Sequence, residues 1–258
     1  PSIVNPPYVG RWWREAGFAR AVTKQIMRGR FNLVQSHERV ACCDVFRAGD
    51  GVHAAYLYER LAAASPLERA ALRASPYHRY VLDAEKKLFA SPWLAAVICN
   101  SAMVRDEIRE RFGYPAEKLH VIRNAVDGAA FHPGLRAERE RVLAHRRIPA
   151  DATVFLLVGS GFARKGVATA IRALAELPAE AHLIVVGRDA RPQRYARLAR
   201  SLGLSGRVHI VGPQTDPRPY FGAGDAFVLP TLYDPCPNAA LEAMACGLPV
   251  ITSTKSGV

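Results

Sequence analysis

Two carboxylates bracket a stiff turn and the start of a short helix in the stretch "YDPCPNAALEAMACGLPVI". Asp234 precedes the prolines, and Glu242 lies one turn inside a helix predicted to take Asn238 as its N-cap. The first turn of a helix leaves backbone N–H groups free for an anion, and a carboxylate can accept from two vicinal hydroxyls. Asn238 to Leu241 would offer such N–H groups, and the pattern suits a molecule with a sugar at both ends and phosphate between. The alternative is that Asp234 only shapes the turn and that Glu242 only stabilises the first helical turn through the helix dipole.

A second candidate anion site lies in "LLVGSGFARKGV". A strand is predicted to end at Val158, Gly161 frees the backbone, and Arg164 and Lys165 come just before a helix predicted to begin near Gly166. Loop amides, a helix dipole and two cations would then face one anion such as a diphosphate. The spacing fits neither the Walker pattern nor GxGxxG. A glycine turn with two solvated cations remains the alternative.

The elements around these motifs predict an α/β protein. From Thr153 onward, short β-branched runs alternate with segments of helical period, which indicates a parallel sheet covered on both faces. The first half contains four strand-like runs and a helical region over 54–89 that is broken at two Ser-Pro pairs. The basic stretch 127–148 carries no strand signal. We therefore predict an N-terminal domain (1–135), a linker (136–152) and a C-terminal domain (153–258), with both domains incomplete because each end of the chain interrupts its pattern.

Composition restricts the function. Thirty-five Lys and Arg against twenty-three Asp and Glu give a net charge of +12 over 258 residues, which predicts an anionic partner: nucleic acid, a lipid surface or a phosphorylated substrate. Five cysteines show no zinc-site spacing. No apolar run is long enough to span a bilayer and the start lacks a signal-peptide pattern, so we expect a cytosolic protein.

The segment "DPCPNAALEAMACGLPVI" resembles the acid-x7-Glu signature of family 4 glycosyltransferases, and "GSGFARKG", "VVGRD" and "VHIVGPQTD" follow in that family's order. The resemblance implies two Rossmann-like domains facing across a cleft, the GT-B architecture, and a nucleotide-sugar donor. Arg164 and Lys165 would bind the diphosphate, Glu242 the ribose and Asp234 the donor sugar. The family commonly has Glu where this chain has the shorter Asp234, which leaves the donor sugar open. The other implied donor-binding residues are Gly161, Gly187, Arg188, Pro237, Asn238 and Ala239.

The first half is similar, more loosely, to the lipopolysaccharide-core glucosyltransferases of that family, through "DVFRAGDGVHAAYLYERL", "YHRYVLDAEKKLF", "VICNSAMVRDEI" and "VIRNAVD". This likeness implies transfer of a hexose from UDP-glucose or a similar donor to a glycan or lipid-linked saccharide. Asp50 would orient or deprotonate the acceptor hydroxyl, and His37 would lie near donor or acceptor. It also implies retention of anomeric configuration, with no cofactor and no metal. No DxD motif occurs, and the paired cations would take the metal's place at the leaving diphosphate.

Aromatic and basic residues are mixed near the start, in "RWWREAGFARAVTKQIMRGR", and along 54–89. Such mixtures suit the headgroup layer of an anionic membrane, which places the enzyme on the cytoplasmic face of the inner membrane. A solvated basic face is the alternative. A nucleic-acid- or membrane-binding protein without transferase activity remains a rival, although no nucleic-acid module is recognisable. An epimerase or a phosphorylase could share the architecture.

Overall fold

The computed structural model describes residues 4–29 and 31–258, and the chain divides into two compact units. Unit 1 runs to Arg123, and unit 2 runs from Asn124 to Ser256. Within the part of the chain that is described, no helix combines the length and the apolar composition that crossing a membrane requires.

Unit 1 carries a parallel sheet in the order β1-β2-β3-β4. Its strands are β1 (Gln35–Ser36), β2 (Val45–Ala48), β3 (Ala96–Cys99) and β4 (Leu119–Val121). Its helices are α1 (Gly10–Arg28), α2 (His53–Ala63), α3 (Pro66–Ala74), α4 (Pro76–Phe89) and α5 (Ala102–Phe112), with a 3₁₀ turn at Ala116–Lys118. The four strands match the four strand-like runs of the first half.

The two Ser-Pro pairs divide the helical region of unit 1 as predicted. Ser65 caps α3 through a reciprocal pair of hydrogen bonds with Glu68, and Ser75 caps α4 by accepting from the His78 N–H. In each case the proline takes the first helical position, where its missing N–H has no intrahelical partner to lose.

Unit 2 carries a parallel sheet in the order β7-β6-β5-β8-β9. Its strands are β5 (Thr153–Val158), β6 (Ala181–Val186), β7 (Val208–Gly212), β8 (Ala226–Leu229) and β9 (Val250–Thr252). Its helices are α6 (Arg139–Arg146), α7 (Phe162–Lys165), α8 (Val167–Ala175), α9 (Gln193–Ser201), α10 (Arg218–Ala223) and α11 (Asn238–Ala245), with a 3₁₀ segment at Pro133–Glu138. The chain runs outward from β5 to β7 and then returns to the other side of β5. The reversal creates a topological switch point between β5 and β8.

Apolar clusters cover both faces of the unit 2 sheet. Leu156, Ile184 and Phe227 pack on one side, and Leu157 and Leu183 pack on the other. A parallel strand buried on both faces is expected to be mainly apolar, and β6 is buried at all six positions, with the polar His182 lying 3.1 Å from the His209 ring nitrogen. The β-branched runs of the sequence are explained by this double coverage.

The prediction of a linker over 136–152 is wrong. Val142 and Leu143 of α6 are buried in the same cluster as the unit 2 sheet, and Arg139 donates to the Asp225 carboxylate and to the Ala152 carbonyl. The units divide after Arg123, not at 135. Val142, Leu143, Ile148 and Ala152 are buried in that cluster and anchor the segment together with Arg139, whereas Glu140, Arg141 and Arg147 are exposed.

Candidate functional site

The donor-site residues predicted from sequence lie in the loops that follow β5, β6 and β8. Ligands of open α/β sheets bind at such carboxyl ends beside a switch point. The loop after β5 continues directly into α7, so Arg164 and Lys165 lie inside a four-residue helix that precedes Gly166, and α8 begins at Val167. The two cations therefore sit at the carboxyl end of a short helix.

Close backbone contacts fix the loops after β5 and β6. A Cβ on Gly187 would lie 2.1 Å from the Gly159 carbonyl oxygen, so only glycine fits there. The Gly161 N–H donates to the Arg188 carbonyl over 2.9 Å, and the Arg188 N–H donates to the Ser160 hydroxyl over 3.2 Å. The Arg188 side chain is left exposed at the surface of this loop pair.

Arg164 and Lys165 both form ion pairs with Asp234. Arg164 Nη1 lies 3.1 Å from Asp234 Oδ2, and Lys165 Nζ donates to the same oxygen. Lys165 is 8% exposed and Asp234 is 6% exposed. Burial lowers the pKa of Lys165, and the Asp234 carboxylate opposes that shift. The acid predicted to bind the donor sugar is thus joined to the cations predicted to bind the diphosphate.

The segment before α11 is also fixed by the β5 loop. The Thr231 hydroxyl and the Leu232 N–H both donate to the Arg164 carbonyl over 2.9 Å. The Asp234 N–H donates to the Lys255 carbonyl, also over 2.9 Å. Asp234 is therefore held on its backbone side as well as by its two ion pairs.

The prediction that Asn238 is the N-cap of α11 is wrong, because Pro237 occupies that position and Asn238 is the first helical residue. The Asn238 side-chain oxygen accepts from Asn124 Nδ2 over 2.7 Å, so it does not turn back to cap the helix. In the first turn of α11 the Ala240 N–H donates to the Pro237 carbonyl over 3.0 Å, which leaves the N–H groups of Asn238 and Ala239 without an intrahelical acceptor. A helix start with two free N–H groups therefore follows Asp234 by three residues.

Glu242 lies one turn inside α11 and is half-buried. Burial raises the pKa of its carboxyl group. Among residues 4–29 and 31–258, no side chain or N–H group donates to this carboxylate, in contrast to Asp234. Glu242 therefore retains its full capacity to accept hydrogen bonds from a ligand.

The two predicted catalytic residues lie in unit 1. His37 follows β1 and is exposed, with its Nε2 3.4 Å from Gln35 Nε2. Asp50 follows β2 in an exposed turn. Their strands are neighbours in the sheet, so both residues lie at the same edge of unit 1. The structure groups the donor residues within unit 2 and these two within unit 1.

Sequence reasoning missed three polar residues that build the unit 2 site. Thr231 and Asn124 hold the segments described above, and Asp189 Oδ2 accepts from the Phe162 N–H at the start of α7 over 2.8 Å. Asp189 and Asn124 lie in the quoted motifs "VVGRD" and "VIRNAVD", immediately after or near strand ends, which is the signal that could have identified them.

The described residues contain no cluster of three or more His, Cys, Asp or Glu side chains placed as metal ligands. Independence from metal stays a prediction.

Comparison with known proteins identifies relatives for each half of the chain. A profile described as "Glycosyltransferase Family 4" matches residues 1–129, half of the chain, and one described as "Glycosyl transferases group 1" matches residues 152–258. The lipopolysaccharide core biosynthesis glycosyltransferase LpsE of Rhizobium meliloti (strain 1021) is 32% identical over 161 residues, which cover 62% of this chain and 44% of LpsE. The lipopolysaccharide glucosyltransferase WaaG of Escherichia coli (strain K12) is 36% identical over 114 residues, 43% of this chain and 30% of WaaG.

Solved structures show the same fold. A crystal structure of WaaG, a glycosyltransferase involved in lipopolysaccharide biosynthesis, has a TM-score of 0.81 at 24% identity over 99% of this chain and 68% of that chain. Anabaena HepE in complex with UDP and glucose has a TM-score of 0.67 at 20% identity over 93% of this chain and 63% of that chain. The predicted α/β fold class is confirmed. The chain matches less than half the length of the curated relatives described above.

Proposed function

Because this chain belongs to glycosyltransferase family 4, we propose that it transfers a hexose from a nucleotide-diphosphate sugar to a saccharide acceptor. The observation that carries the proposal is the convergence of Arg164, Lys165 and Asp234 beside the start of α11, at the switch point of unit 2. Two cations, free helix amides and an unpaired carboxylate are the groups that a diphosphate joined to a ribose requires.

The donor would lie with its diphosphate against Arg164, Lys165 and the first N–H groups of α11. Glu242 would accept from the two ribose hydroxyls, because its carboxylate has no partner in the described part of the chain. Gly161, Gly187 and Arg188 would line the approach from the β5 and β6 loops. As the bond to the sugar breaks, negative charge grows on the leaving diphosphate, and fixed cations stabilise it without reorganisation.

Asp234 would bind the donor sugar through the carboxylate oxygen that takes no part in the ion pairs. Both cations contact Oδ2, so Oδ1 can accept from a sugar hydroxyl. We propose that the reaction retains anomeric configuration by front-face attack, with the leaving phosphate helping to deprotonate the acceptor. Asp50 and His37 would act on the acceptor side.

UDP-glucose is the first donor to test, because HepE is described in complex with UDP and with UDP-glucose. A lipopolysaccharide-core saccharide is the first acceptor to test, because LpsE and WaaG are named for that pathway. These choices are made by similarity to proteins longer than this chain.

Donor binding is measured by isothermal titration with UDP-glucose, GDP-glucose and ADP-glucose, comparing the wild-type chain with Lys165→Met. We expect one nucleotide sugar to bind and the variant to bind at least about tenfold more weakly, since a charge-assisted bond to phosphate is lost. Arg172→Met, which removes an exposed cation of α8, is the matched control. Equal binding by wild type and Lys165→Met, or absence of binding, contradicts the proposed site.

An anionic membrane surface is a proposed partner for unit 1. Trp12 and Trp13 of α1 are each 48% exposed, beside the exposed Arg11 and Arg14. Exposed tryptophans among cations suit the interfacial layer of a bilayer. Cosedimentation with vesicles of phosphatidylethanolamine and phosphatidylglycerol tests this: the wild type should sediment, and Trp12→Ser with Trp13→Ser should remain in solution. Such an association would place the enzyme at the cytoplasmic face of the inner membrane.

A further inference from the structure

A cavity of about 270 Å³ lies in unit 1 at the carboxyl ends of β1 and β2. Glu38 and Asp50 contribute from the loops after these strands, and α1 and α4 close the sides. Small-molecule sites usually measure about 300–1,000 Å³, so this cavity has room for about one sugar ring. His37, the residue selected from sequence, does not line the cavity, whereas its neighbour Glu38 does.

Three carboxylates face the cavity: Glu15, Glu38 and Asp50. Partial burial raises the pKa of Glu38, and the charges of Glu15 and Asp50 raise it further. The Glu38 backbone is fixed, because its N–H donates to the Ser36 hydroxyl over 3.0 Å and its carbonyl accepts from that hydroxyl over 2.7 Å. Within residues 4–29 and 31–258, nothing donates to the Glu38 or Asp50 carboxylate. Both are available to a ligand.

The cations of the cavity are mostly engaged elsewhere. Arg39 donates to the buried Glu85 over 3.1 Å and to the Gly51 carbonyl over 3.1 Å. Arg14 lies 2.9 Å from Glu15. In the described part of the chain Arg11 has no carboxylate partner, and its guanidinium sits 4.4 Å from the centre of the Tyr77 ring.

Apolar side chains form part of the wall, namely Phe18, Ala19, Val40, Val81 and Ala84, and Tyr80 adds an aromatic ring whose hydroxyl lies 3.5 Å from the Glu15 carbonyl oxygen. A sugar ring presents C–H groups on its faces and hydroxyls at its rim, which matches an apolar wall beside hydrogen-bond acceptors. With Arg14 paired to Glu15 and Arg39 paired to Glu85, a phosphate would meet the unpaired carboxylates of Glu38 and Asp50 and the single cation of Arg11, so the remaining negative charge disfavours it.

We propose that Glu38 binds a hydroxyl of a neutral saccharide acceptor in this cavity, side by side with Asp50. The inference rests on the proposed transferase function and assigns its acceptor class: a neutral sugar ring rather than a phosphorylated one. Glu38 is then an acceptor-binding residue, and the pair of carboxylates fixes the orientation of the acceptor ring in the cavity.

Saturation-transfer NMR on the full chain tests the proposal. The probes are the methyl α-glycosides of glucose, galactose and mannose, with glucose 6-phosphate as the anionic comparison and UDP-glucose as the donor. The variants are Glu38→Gln, which keeps the side-chain shape, and Glu110→Gln, an exposed glutamate of α5 that does not line the cavity. We expect at least one neutral glycoside to bind the wild type and Glu110→Gln, and to bind Glu38→Gln about tenfold more weakly.

Three results would overturn the inference: unchanged glycoside binding by Glu38→Gln, binding of glucose 6-phosphate as strong as that of the glycoside, or no glycoside binding by the wild type. The UDP-glucose signal separates this inference from the proposed function. If Glu38→Gln loses glycoside binding but still binds UDP-glucose, the effect is confined to the proposed acceptor cavity. If the wild-type chain binds no nucleotide sugar, the proposed donor site in unit 2 is contradicted instead.

A second measurement does not depend on the variant folding. In wild-type protein carrying ¹³Cδ-labelled glutamate, a saturating neutral glycoside should shift the Glu38 carboxyl carbon and leave that of Glu110 in place. Glucose 6-phosphate should shift neither. A Glu38 resonance that does not respond to any glycoside contradicts direct contact.

Discussion

The carboxylates of the unit 2 site and those of the unit 1 cavity differ in burial and in pairing. Asp234 is buried and shared by Arg164 and Lys165, whereas Glu38 and Asp50 are exposed and have no donor in the described part of the chain. A buried charge is tolerated only when it is paired, so removal of Asp234 alone is expected to destabilise the fold, in addition to affecting its proposed role in donor binding. Unpaired, solvated carboxylates contribute little to stability. The difference predicts that changes in unit 2 affect folding, while changes in the cavity affect only ligand binding.

The largest expected effect is that of Asp234→Asn. Removing this charge leaves Arg164 and Lys165 beside each other without their acid, and breaking one partner of a buried pair costs about 3–5 kcal/mol of unfolding free energy. Lys165 can relieve part of that cost by losing its proton, because burial already lowers its pKa. The measurement is urea denaturation followed by circular dichroism.

Two controls sharpen this test. Asp216→Asn breaks an exposed ion pair with Arg218 and should leave the transition almost unchanged. Glu38→Gln should shift the free energy of unfolding by less than about 0.5 kcal/mol, as expected of a surface substitution. A destabilisation by Glu38→Gln as large as that of Asp234→Asn would remove the contrast between the two regions.

Two glycines of the β5 loop give the next prediction. Gly161 and Gly166 both have φ of +75°, but a Cβ on Gly161 meets nothing within 4 Å, whereas on Gly166 it would lie 1.8 Å from the Pro230 carbonyl oxygen. Left-handed backbone alone costs about 1–2 kcal/mol for an alanine. Gly161→Ala should lose about that much, and Gly166→Ala about 3 kcal/mol, since overpacking adds to it.

Thermal denaturation of the two variants, compared at one pH, checks the difference. Equal losses of stability would show that the loop after β8 moves away from Gly166. The contact that holds Pro230 and Asp234 near the two cations of α7 would then be loose rather than fixed. In that case the unit 2 site would be no more rigid than the unit 1 cavity.

Much of this fold could be predicted from sequence, because local patterns determine it. The strands of unit 2 are mainly apolar runs that reach a glycine in β5, β6 and β7 and adjoin a proline in β8 and β9, and the Ser-Pro pairs end and begin helices by capping alone. The 136–152 segment could not be assigned correctly, because its place depends on the long-range contact of Arg139 with Asp225.

The candidate site was only partly predictable. Glycines, paired cations and spaced acids mark Arg164, Lys165, Asp234 and Glu242 along the chain. Which of them pair is a tertiary property, and no spacing indicates that Asp234 takes both cations while Glu242 takes none. Similarly, Glu38 and His37 both follow β1, so the sequence alone does not indicate which of them binds a ligand. Only the lining of the cavity, which includes Glu38 and not His37, distinguishes them.

The smallest predicted effect compares the buried His53 of unit 1 with the half-buried His209 of unit 2. Burial, together with nearby Arg39 and His78, lowers the pKa of His53 in unit 1 to about 3, and burial with His182 and Arg146 lowers that of His209 in unit 2 to about 4. When the pKa of a histidine is lower in the folded protein than in the unfolded chain, the unfolded chain takes up the proton first as the pH falls. The contribution of that histidine to the free energy of unfolding is therefore complete above pH 6.5 and decreases below it. The loss continues to about pH 3 for His53 and stops near pH 4 for His209.

One such group changes the free energy of unfolding by up to about 1.4 kcal/mol per pH unit. His53→Gln should therefore reduce the loss between pH 6 and 5 by about 1 kcal/mol, and His209→Gln should do the same in that interval. Below pH 4 the two variants should diverge, because only His53 still takes up protons on unfolding there. Urea transitions at pH 6, 5, 4 and 3.5 measure this, and identical slopes below pH 4 would show that the two histidines have the same pKa in the folded protein.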